Sequence, residues 1–209
     1  EKMTQQAQNA ILKTIEEPPT YAIIILLAEQ EEALLPTIRS RVLRLSFRPV
    51  PESEILECLR RKGADAKRAG EAARFSRGIY RRAEELALSE EAYARYRRTL
   101  DLLRALPKCG ETVFHRAQTE ITELYPEPRD FLNFLRLYYR DVLCVKSGGS
   151  SEALIFPQEE EALIREAKDL SYEQAGVILK ETEAAEERFR LNVNKELSSE
   201  LLLLAIRRE

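Results

Sequence analysis

The sequence predicts a mainly α-helical protein that starts with the remnant of an α/β domain. Residues 22–27 form a continuous apolar run rich in β-branched side chains, which is typical of a strand buried on both faces of a parallel sheet. After residue 50, apolar residues recur at helical spacing, and prolines and glycines divide the chain into segments of helix length. Two strands cannot form the core of an α/β domain alone. We therefore expect most of the sheet to lie outside this sequence. Residues 23–27 are then expected to be poorly covered by the rest of the chain, or to be protected by crystal or dimer contacts.

The first 49 residues are predicted to form a helix, a strand, a second helix and a second strand. Residues 3–16 have helical periodicity and end before Pro18-Pro19, because the residue before a proline is disfavoured in the α region. Residues 31–40 predict a short helix that a proline interrupts. Residues 42–47 alternate between apolar and polar side chains, which predicts the second strand. This alternation of helices and strands is typical of an α/β unit.

The rest of the chain is predicted to be helical and to form two domains. A small three-helix domain spans residues 50–88, and a larger helical bundle spans residues 89–209, so that residues 1–49 form the remaining domain. The predicted helices cover residues 52–62, 64–76, 79–88, 89–105, 110–124, 128–146, 158–169, 171–190 and 193–208.

Charge is distributed unevenly along the chain. The whole sequence carries 33 basic and 36 acidic residues, a net charge of −3, and so gives no overall attraction to nucleic acid. Residues 39–82, however, carry 13 basic and 5 acidic residues, a net charge of +8. Such a segment is a candidate for contact with DNA phosphates. Alternatively, it forms ion pairs with acidic helices of its own chain or of a partner.

Several classes of function are disfavoured by composition. His115 is the only histidine, and the three cysteines are far apart without a Cys-x-x-Cys motif. This disfavours a zinc site, a Ser-His-Asp hydrolase and a disulfide scaffold, and favours a reducing cytoplasm. The sequence contains no Gly-x-x-x-x-Gly-Lys-Ser/Thr loop for phosphate and no apolar run of membrane-spanning length. Glu16-Glu17 is the nearest candidate for a paired-carboxylate metal site, but a solvated helix end is the favoured interpretation.

A motif in the first 41 residues gives the most specific functional signal. Residues 9–19 read NAILKTIEEPP, the apolar run follows, and residues 34–41 read LLPTIRSR. This arrangement closely resembles the clamp-loader branch of the AAA+ ATPases, whose pattern is Asn-Ala-Leu-Leu-Lys-Thr-Leu-Glu-Glu-Pro-Pro, a strand, and Leu-Leu-Pro-Thr-Ile-x-Ser-Arg-Cys. Within that branch, the Arg-Ser-Arg triplet and the long helical tail resemble the delta-prime group of bacterial DNA polymerase III subunits.

The resemblance implies a role for Arg41, for which the alternative is a surface arginine that makes an ion pair. In the family this arginine acts in trans as an arginine finger, reaching ATP bound by the neighbouring subunit. A guanidinium suits this task because it is always charged and offers a planar fork to phosphate oxygens. The resemblance places Arg39 and Ser40 on the same interface. Val42 stands where the family has cysteine, an apolar exchange that leaves the arginine unaffected.

Two further positions bear on nucleotide binding. Residues 78–83 read GIYRRA and resemble the Gly-x-x-x-Arg-Ala signature of the family's lid domain, in which Arg82 would match the sensor-2 arginine. A surface arginine of a lid helix is the alternative. The apolar run is followed by Ala28, Glu29 and Gln30, where ATP-hydrolysing relatives carry Thr or Asn at sensor 1. This departure weakens the case for hydrolysis by this chain.

The end of the chain resembles the closing helix of the family's oligomerisation domain, which forms a collar between subunits. Leu197, Leu201 and Leu204 recur at i, i+4 and i+7, and Leu202 and Leu203 widen this apolar stripe. A helix this apolar is predicted to be buried. The stripe packs either in its own bundle or against the collar of a neighbouring subunit.

An aromatic stripe in the predicted helix over residues 128–146 has two interpretations. Phe131, Phe134 and Tyr138 share one helix face, and Tyr139 lies beside them. Packing in the helical domain is favoured, and a stacking platform for single-stranded DNA is the alternative.

The resemblance as a whole implies a cytoplasmic subunit of the DNA polymerase III clamp loader. Its partners would be the tau/gamma and delta subunits, the sliding clamp and, through the complex, primed DNA, with no membrane involved. ATP and Mg²⁺ would bind at neighbouring subunits rather than to this chain alone, which has neither a polymerase site nor a complete ATPase site.

Two alternatives remain open from the sequence. An ATP-hydrolysing tau/gamma-type subunit would carry an intact Gly-Lys-Thr/Ser loop upstream. A stand-alone DNA-binding helical protein would use residues 39–82, and its binding would depend steeply on salt.

Overall fold

The computed structural model describes residues 3–28, 31–191 and 193–208. Within these ranges the chain is mainly α-helical, as predicted, and contains no β-strand. The chain divides into two compact units, residues 1–48 and residues 49–209. The division into three domains over 1–49, 50–88 and 89–209 stays a prediction.

In its described residues, the first unit contains three short helices. Helices α1 (Gln5–Ala10) and α2 (Leu12–Glu16) occupy the predicted helix over residues 3–16, and α3 (Pro36–Arg39) follows a 3₁₀ turn at Glu31–Ala33. Thr4 caps α1, since its Oγ1 accepts a hydrogen bond from the Ala7 backbone N–H at 3.2 Å.

The prediction of two strands in this unit is wrong. Residues 22–28 and 43–48 are irregular, and most of their apolar side chains are exposed: Ile23 is 90% exposed and Phe47 is 92% exposed, while Leu26 is half-buried. A strand needs a neighbouring strand to pair its backbone N–H and C=O groups, and the described part of the chain supplies none. The expectation that residues 23–27 are poorly covered is confirmed.

The second unit contains the long helices, and each predicted helix is present with its ends within two residues of the expected positions. In chain order they are α4 (Glu52–Arg61), α5 (Ala66–Phe75), α6 (Tyr80–Leu88), α7 (Glu90–Ala105), α8 (Glu111–Leu124), α9 (Pro128–Lys146), α10 (Glu160–Asp169), α11 (Tyr172–Arg190) and α12 (Lys195–Ile206).

Side-chain caps fix several of these helix starts. Asp65 accepts hydrogen bonds from the first turn of α5, and Ser89 caps α7. Ser171 and Gln174 form a capping box at α11, in which each side chain bonds the other residue's backbone N–H. Asn194 caps α12 by accepting from the Leu197 N–H at 3.0 Å. These caps are local sequence signals, which explains why the helix starts could be predicted.

An aromatic cluster forms the centre of the second unit. The ring of Phe75, at the end of α5, lies 5.0 Å from Phe134, 5.2 Å from Tyr96 and 5.9 Å from Phe156 between ring centroids. Such edge and tilted ring contacts stabilise a core beyond the area they bury. Through Phe75 the helices of residues 50–88 share one hydrophobic core with the helices that follow.

The aromatic stripe of α9 belongs to this core. Phe131, Phe134, Tyr138 and Tyr139 are all buried, and burial raises the pKa of the Tyr138 phenol, which keeps it neutral. Packing in the helical domain is therefore confirmed. The alternative of a DNA-stacking platform is wrong, because these rings have no exposed face to offer a base.

A buried carboxylate holds the loop that brings Phe156 into the cluster. Asp141 is completely buried, and its Oδ2 accepts hydrogen bonds from the backbone N–H groups of Ile155 at 2.7 Å and Phe156 at 2.8 Å. Its Oδ1 accepts from Arg140 at 2.7 Å, and Arg140 also donates to the carbonyl of Ala153. Hydrogen bonds to a buried charge are among the strong ones in proteins.

Replacing this carboxylate is expected to destabilise the fold strongly. Asp141→Ala leaves two buried backbone N–H groups without acceptors, so we expect the free energy of unfolding to fall by about 3–5 kcal/mol. Urea denaturation followed by circular dichroism measures this. Asp130→Ala, an exposed aspartate on the same helix, is the control and should cost under about 1 kcal/mol. Equal stability of the two variants would contradict the role given to Asp141.

Candidate functional site

A short turn presents Arg41 at the end of the first unit's third helix. Pro36 is the first residue of α3, where its fixed φ suits a helix start and its missing N–H costs nothing. Ile38 is completely buried and anchors the turn. The backbone N–H of Arg41 donates to the carbonyl of Ile38 at 2.9 Å, so the chain turns immediately after the helix.

A buried glutamine attaches this turn to the first helix. The Gln8 side chain donates from Nε2 to the carbonyl of Ala33 at 3.2 Å and accepts at Oε1 from the N–H of Leu35 at 2.9 Å. Sequence reasoning missed Gln8, which is buried. The available signal was its helical spacing with Ile11 and Ile15, which are half-buried beside it.

The guanidinium of Arg41 is held at two of its three nitrogens. Its Nε donates to the carboxylate of Glu16. Its Nη1 donates to the carbonyl of Thr37 at 2.9 Å and to Oγ of Ser40 at 3.2 Å. Within the described residues, Nη2 makes no hydrogen bond. The Arg41 side chain is 39% exposed, so part of it is accessible from outside the chain.

The neighbours predicted to share this interface differ in their contacts. The Ser40 hydroxyl is engaged inside its own chain, since it donates to the carbonyl of Thr37 at 3.1 Å while accepting from Arg41. Arg39 is exposed. The structure thus brings Glu16, Thr37, Ser40 and Arg41 together. The interface roles of Arg39 and Ser40 stay predictions.

The glycine that precedes Arg82 is required by the local packing. Gly78 has a φ of +85°, and a Cβ built on it would lie 2.4 Å from Cβ of Pro49. Its carbonyl accepts a hydrogen bond from the N–H of Val50 at 2.9 Å. No other residue type fits here without moving the backbone.

Arg82 itself is half-buried as the third residue of α6, in the second unit. It lines a cavity of about 250 Å³ together with Arg81, Glu85 and Arg95. Its sensor-2-like role stays a prediction. Glu29 and Gln30, which bear on the sensor-1 comparison, lie outside the described residues.

The last helix, α12, has two apolar faces with different surroundings. Leu202, Leu203 and Ile206 are buried in the core of the second unit. The predicted interface residues Leu197, Leu201 and Leu204 are exposed, Leu201 by 41%. The bundle therefore buries Leu202 and Leu203 of the predicted stripe and leaves Leu197, Leu201 and Leu204 partly exposed.

The end of the helix is fixed to the bundle by polar contacts. The Arg208 N–H donates to the carbonyl of Pro107 at 2.8 Å, and its guanidinium binds Glu166. Burial raises the pKa of Glu166, and the charge of Arg208 opposes this shift. The exposed leucine face is thus displayed on a helix held firmly at its C-terminal end.

Part of the basic segment is paired within its own chain. Arg68 forms a bidentate ion pair with Glu90, and this pair lowers the pKa of the Glu90 carboxyl. Lys62 forms an ion pair with Glu84. Arg74 pairs with Glu52 at 3.2 Å. For these three cations the structure favours internal pairing over contact with DNA.

Neither a metal cluster nor a membrane span is found in the part of the chain that the structure describes. No group of three or more His, Cys, Asp or Glu side chains is arranged to hold a metal ion there. No described helix is both long and apolar enough to cross a bilayer.

Comparison with known proteins supports the interpretation of the motif. The family described as "DNA polymerase III, delta subunit" matches residues 1–51. DNA polymerase III subunit delta′ of Bacillus subtilis is 26% identical over 209 residues, covering 99% of this chain. The chain is thus similar to a DNA polymerase III subunit delta′ along nearly its whole length. This confirms the resemblance predicted from residues 9–41.

A second similarity is confined to a short segment. DNA polymerase III subunits gamma/tau of Mycobacterium bovis and Mycobacterium tuberculosis are 45% identical over 49 residues, which is 23% of this chain and 8% of the relatives. The match to the delta-prime relative covers 63% of that protein's length. The chain thus spans less than two thirds of the relative that it matches throughout.

The two faces of α12 are expected to respond differently to truncation. Leu203→Ala opens a cavity in the core and should lower the free energy of unfolding by about 2–5 kcal/mol. Leu204→Ala, the adjacent exposed leucine, should change it by no more than about 0.5 kcal/mol. Chemical denaturation of both variants measures the difference. A large loss of stability in Leu204→Ala would show that this face is covered within the chain.

Proposed function

We propose that this protein is a delta-prime-type subunit of the DNA polymerase III clamp loader, which helps ATP-dependent loading of the sliding clamp on primed DNA. The similarity to a delta-prime subunit over 99% of the chain carries this proposal. The gamma/tau similarity, by contrast, covers only 23% of the chain. This difference favours the delta-prime assignment over an ATP-hydrolysing gamma/tau subunit.

Arg41 is the residue we propose to act in trans at a neighbour's ATP site. Its placement supports this role, because the side chain is partly exposed and its Nη2 is available to phosphate oxygens. An arginine finger stabilises the charge that develops on the transferring phosphoryl group. Arg39 and Ser40 would complete the contact surface around it.

The implied ligands and partners follow from this role. ATP and Mg²⁺ would be held by neighbouring tau/gamma subunits, and this chain would contribute only Arg41 to them. Arg82 is proposed as a sensor-2-like contact to any nucleotide of its own subunit. As part of the complex, in the cytoplasm, the chain would associate with the delta subunit, the sliding clamp and primed DNA.

The exposed face of α12 is the proposed collar contact. Leu197, Leu201 and Leu204 form a continuous apolar stripe on a helix whose other face is buried. Exposed apolar patches that a chain does not cover itself are typical of protein–protein contact sites. The resemblance of this helix to the family's oligomerisation domain supports the same role.

Removing the proposed arginine finger should abolish ATP hydrolysis at the site it completes. In the complex reconstituted with the tau/gamma and delta subunits, Arg41→Ala should slow that site by about 10³–10⁵-fold, because the transition-state charge loses its partner. The total ATP hydrolysis rate of the complex then falls by the fraction that this site contributes. A steady-state ATPase assay measures the loss.

Arg44→Ala is the matched control. Arg44 lies three residues away and pairs with Glu31 at 2.7 Å in the same unit, and its removal should leave the ATPase unchanged. An assembled complex with full activity despite Arg41→Ala would exclude the proposed role.

Charging the leucine stripe should prevent assembly without unfolding the chain. Leu201→Glu places a charge where the collar contact would bury it, so the stoichiometric complex should be lost in native mass spectrometry. The helical circular dichroism spectrum should persist. Leu88 is similarly exposed but lies outside residues 89–209. The control variant Leu88→Glu should therefore still assemble. Normal assembly of Leu201→Glu would contradict the collar assignment.

A further inference from the structure

Glu16 is the acidic partner of Arg41 inside the same chain. It ends α2 just before Pro18-Pro19, and its carboxylate accepts from Nε of Arg41 across 25 positions of sequence. The pair is partly exposed, with 46% of the Glu16 side chain accessible. Ion pairs of this exposure contribute little to stability, so stability alone gives a weak reason for the contact.

The arrangement of the guanidinium gives a stronger reason. A guanidinium has one N–H at Nε and two at each Nη, in a rigid plane. Glu16 takes the Nε hydrogen, and Thr37 and Ser40 accept from Nη1 on the other side. With both of these nitrogens held, the plane is fixed, and the N–H groups of Nη2 keep their donors free of partners within the described residues.

An arginine finger works best when its head is already oriented. A free arginine side chain has many rotamers, and ordering it at the moment of reaction costs entropy. Donors that are preorganised toward the developing charge avoid that cost. A carboxylate that holds Nε while leaving Nη2 free achieves this orientation without occupying the nitrogen that meets the phosphate.

We propose that Glu16 is a positioning residue for Arg41, holding its guanidinium so that Nη2 faces the phosphoryl group of ATP on a neighbouring subunit. The proposal rests on the trans role of Arg41 proposed above. The proposal gives Glu16 a role that differs from both earlier interpretations of Glu16-Glu17, a metal site and a solvated helix end. The Glu17 side chain forms no hydrogen bond or ion pair among the described residues, and Glu17 serves as the natural comparison.

The test uses the Arg41-dependent ATPase of the assembled complex, defined as the rate lost in Arg41→Ala. Glu16→Ala should reduce this rate about tenfold, since small misplacements of a reacting group cost up to about a hundredfold. The KM for ATP should change little. Glu16→Gln should retain most of the rate, because its amide oxygen still accepts from Nε. Glu17→Ala, with the same loss of charge one residue away, should match the wild type.

A double-mutant cycle separates positioning from a merely structural effect. If Glu16 acts only through Arg41, the variant carrying both Glu16→Ala and Arg41→Ala hydrolyses ATP at the rate of Arg41→Ala alone. Native mass spectrometry confirms equal assembly of all variants.

Three results would overturn the proposal. These are an unchanged rate in Glu16→Ala, a further loss in the double variant, and a rise in rate that would show Glu16 competing with phosphate for the arginine. If Arg41→Ala itself leaves the ATPase unchanged, the proposed function fails, and this outcome is distinct from all three.

Discussion

The rings of Phe75, Tyr96, Phe134 and Phe156 meet where the short helices of residues 50–88 join the long ones. Phe156 reaches this cluster because the loop before it is held by the buried carboxylate of Asp141. The hydrophobic core thus depends on a polar contact, since the loop's N–H groups could not be buried without an acceptor.

The first unit is organised on a different principle. It buries few apolar side chains and relies on polar side chains that bridge its short helices, with Gln8 joined to Ala33 and Leu35 and Glu16 joined to Arg41. Each of these bonds connects positions about 25 residues apart. Such contacts set the direction of a side chain more than they contribute to stability, which suits a segment whose proposed task is to present one arginine.

Features that depend on interactions between residues close in sequence could be predicted, whereas features that depend on distant contacts could not. The helices after residue 50 were predicted closely, because periodicity and caps such as Ser89 and Asn194 act within a few residues. The strand prediction at residues 22–27 was wrong, since a strand depends on a partner rather than on its own composition. Arg41 was found through a motif. Its partner Glu16 was interpreted as a solvated helix end, because a contact across 25 residues leaves no periodic signal.

The exposed run from Tyr21 to Leu27 has consequences for handling the protein. It combines high β-propensity with the absence of charge, proline and glycine over seven residues. Segments of this kind add to one another edge to edge and are the signature of steric-zipper aggregation. We expect chains kept apart from whatever covers this run to self-associate as their concentration rises. Covering it would then matter as much for the protein's colloidal behaviour as for its fold.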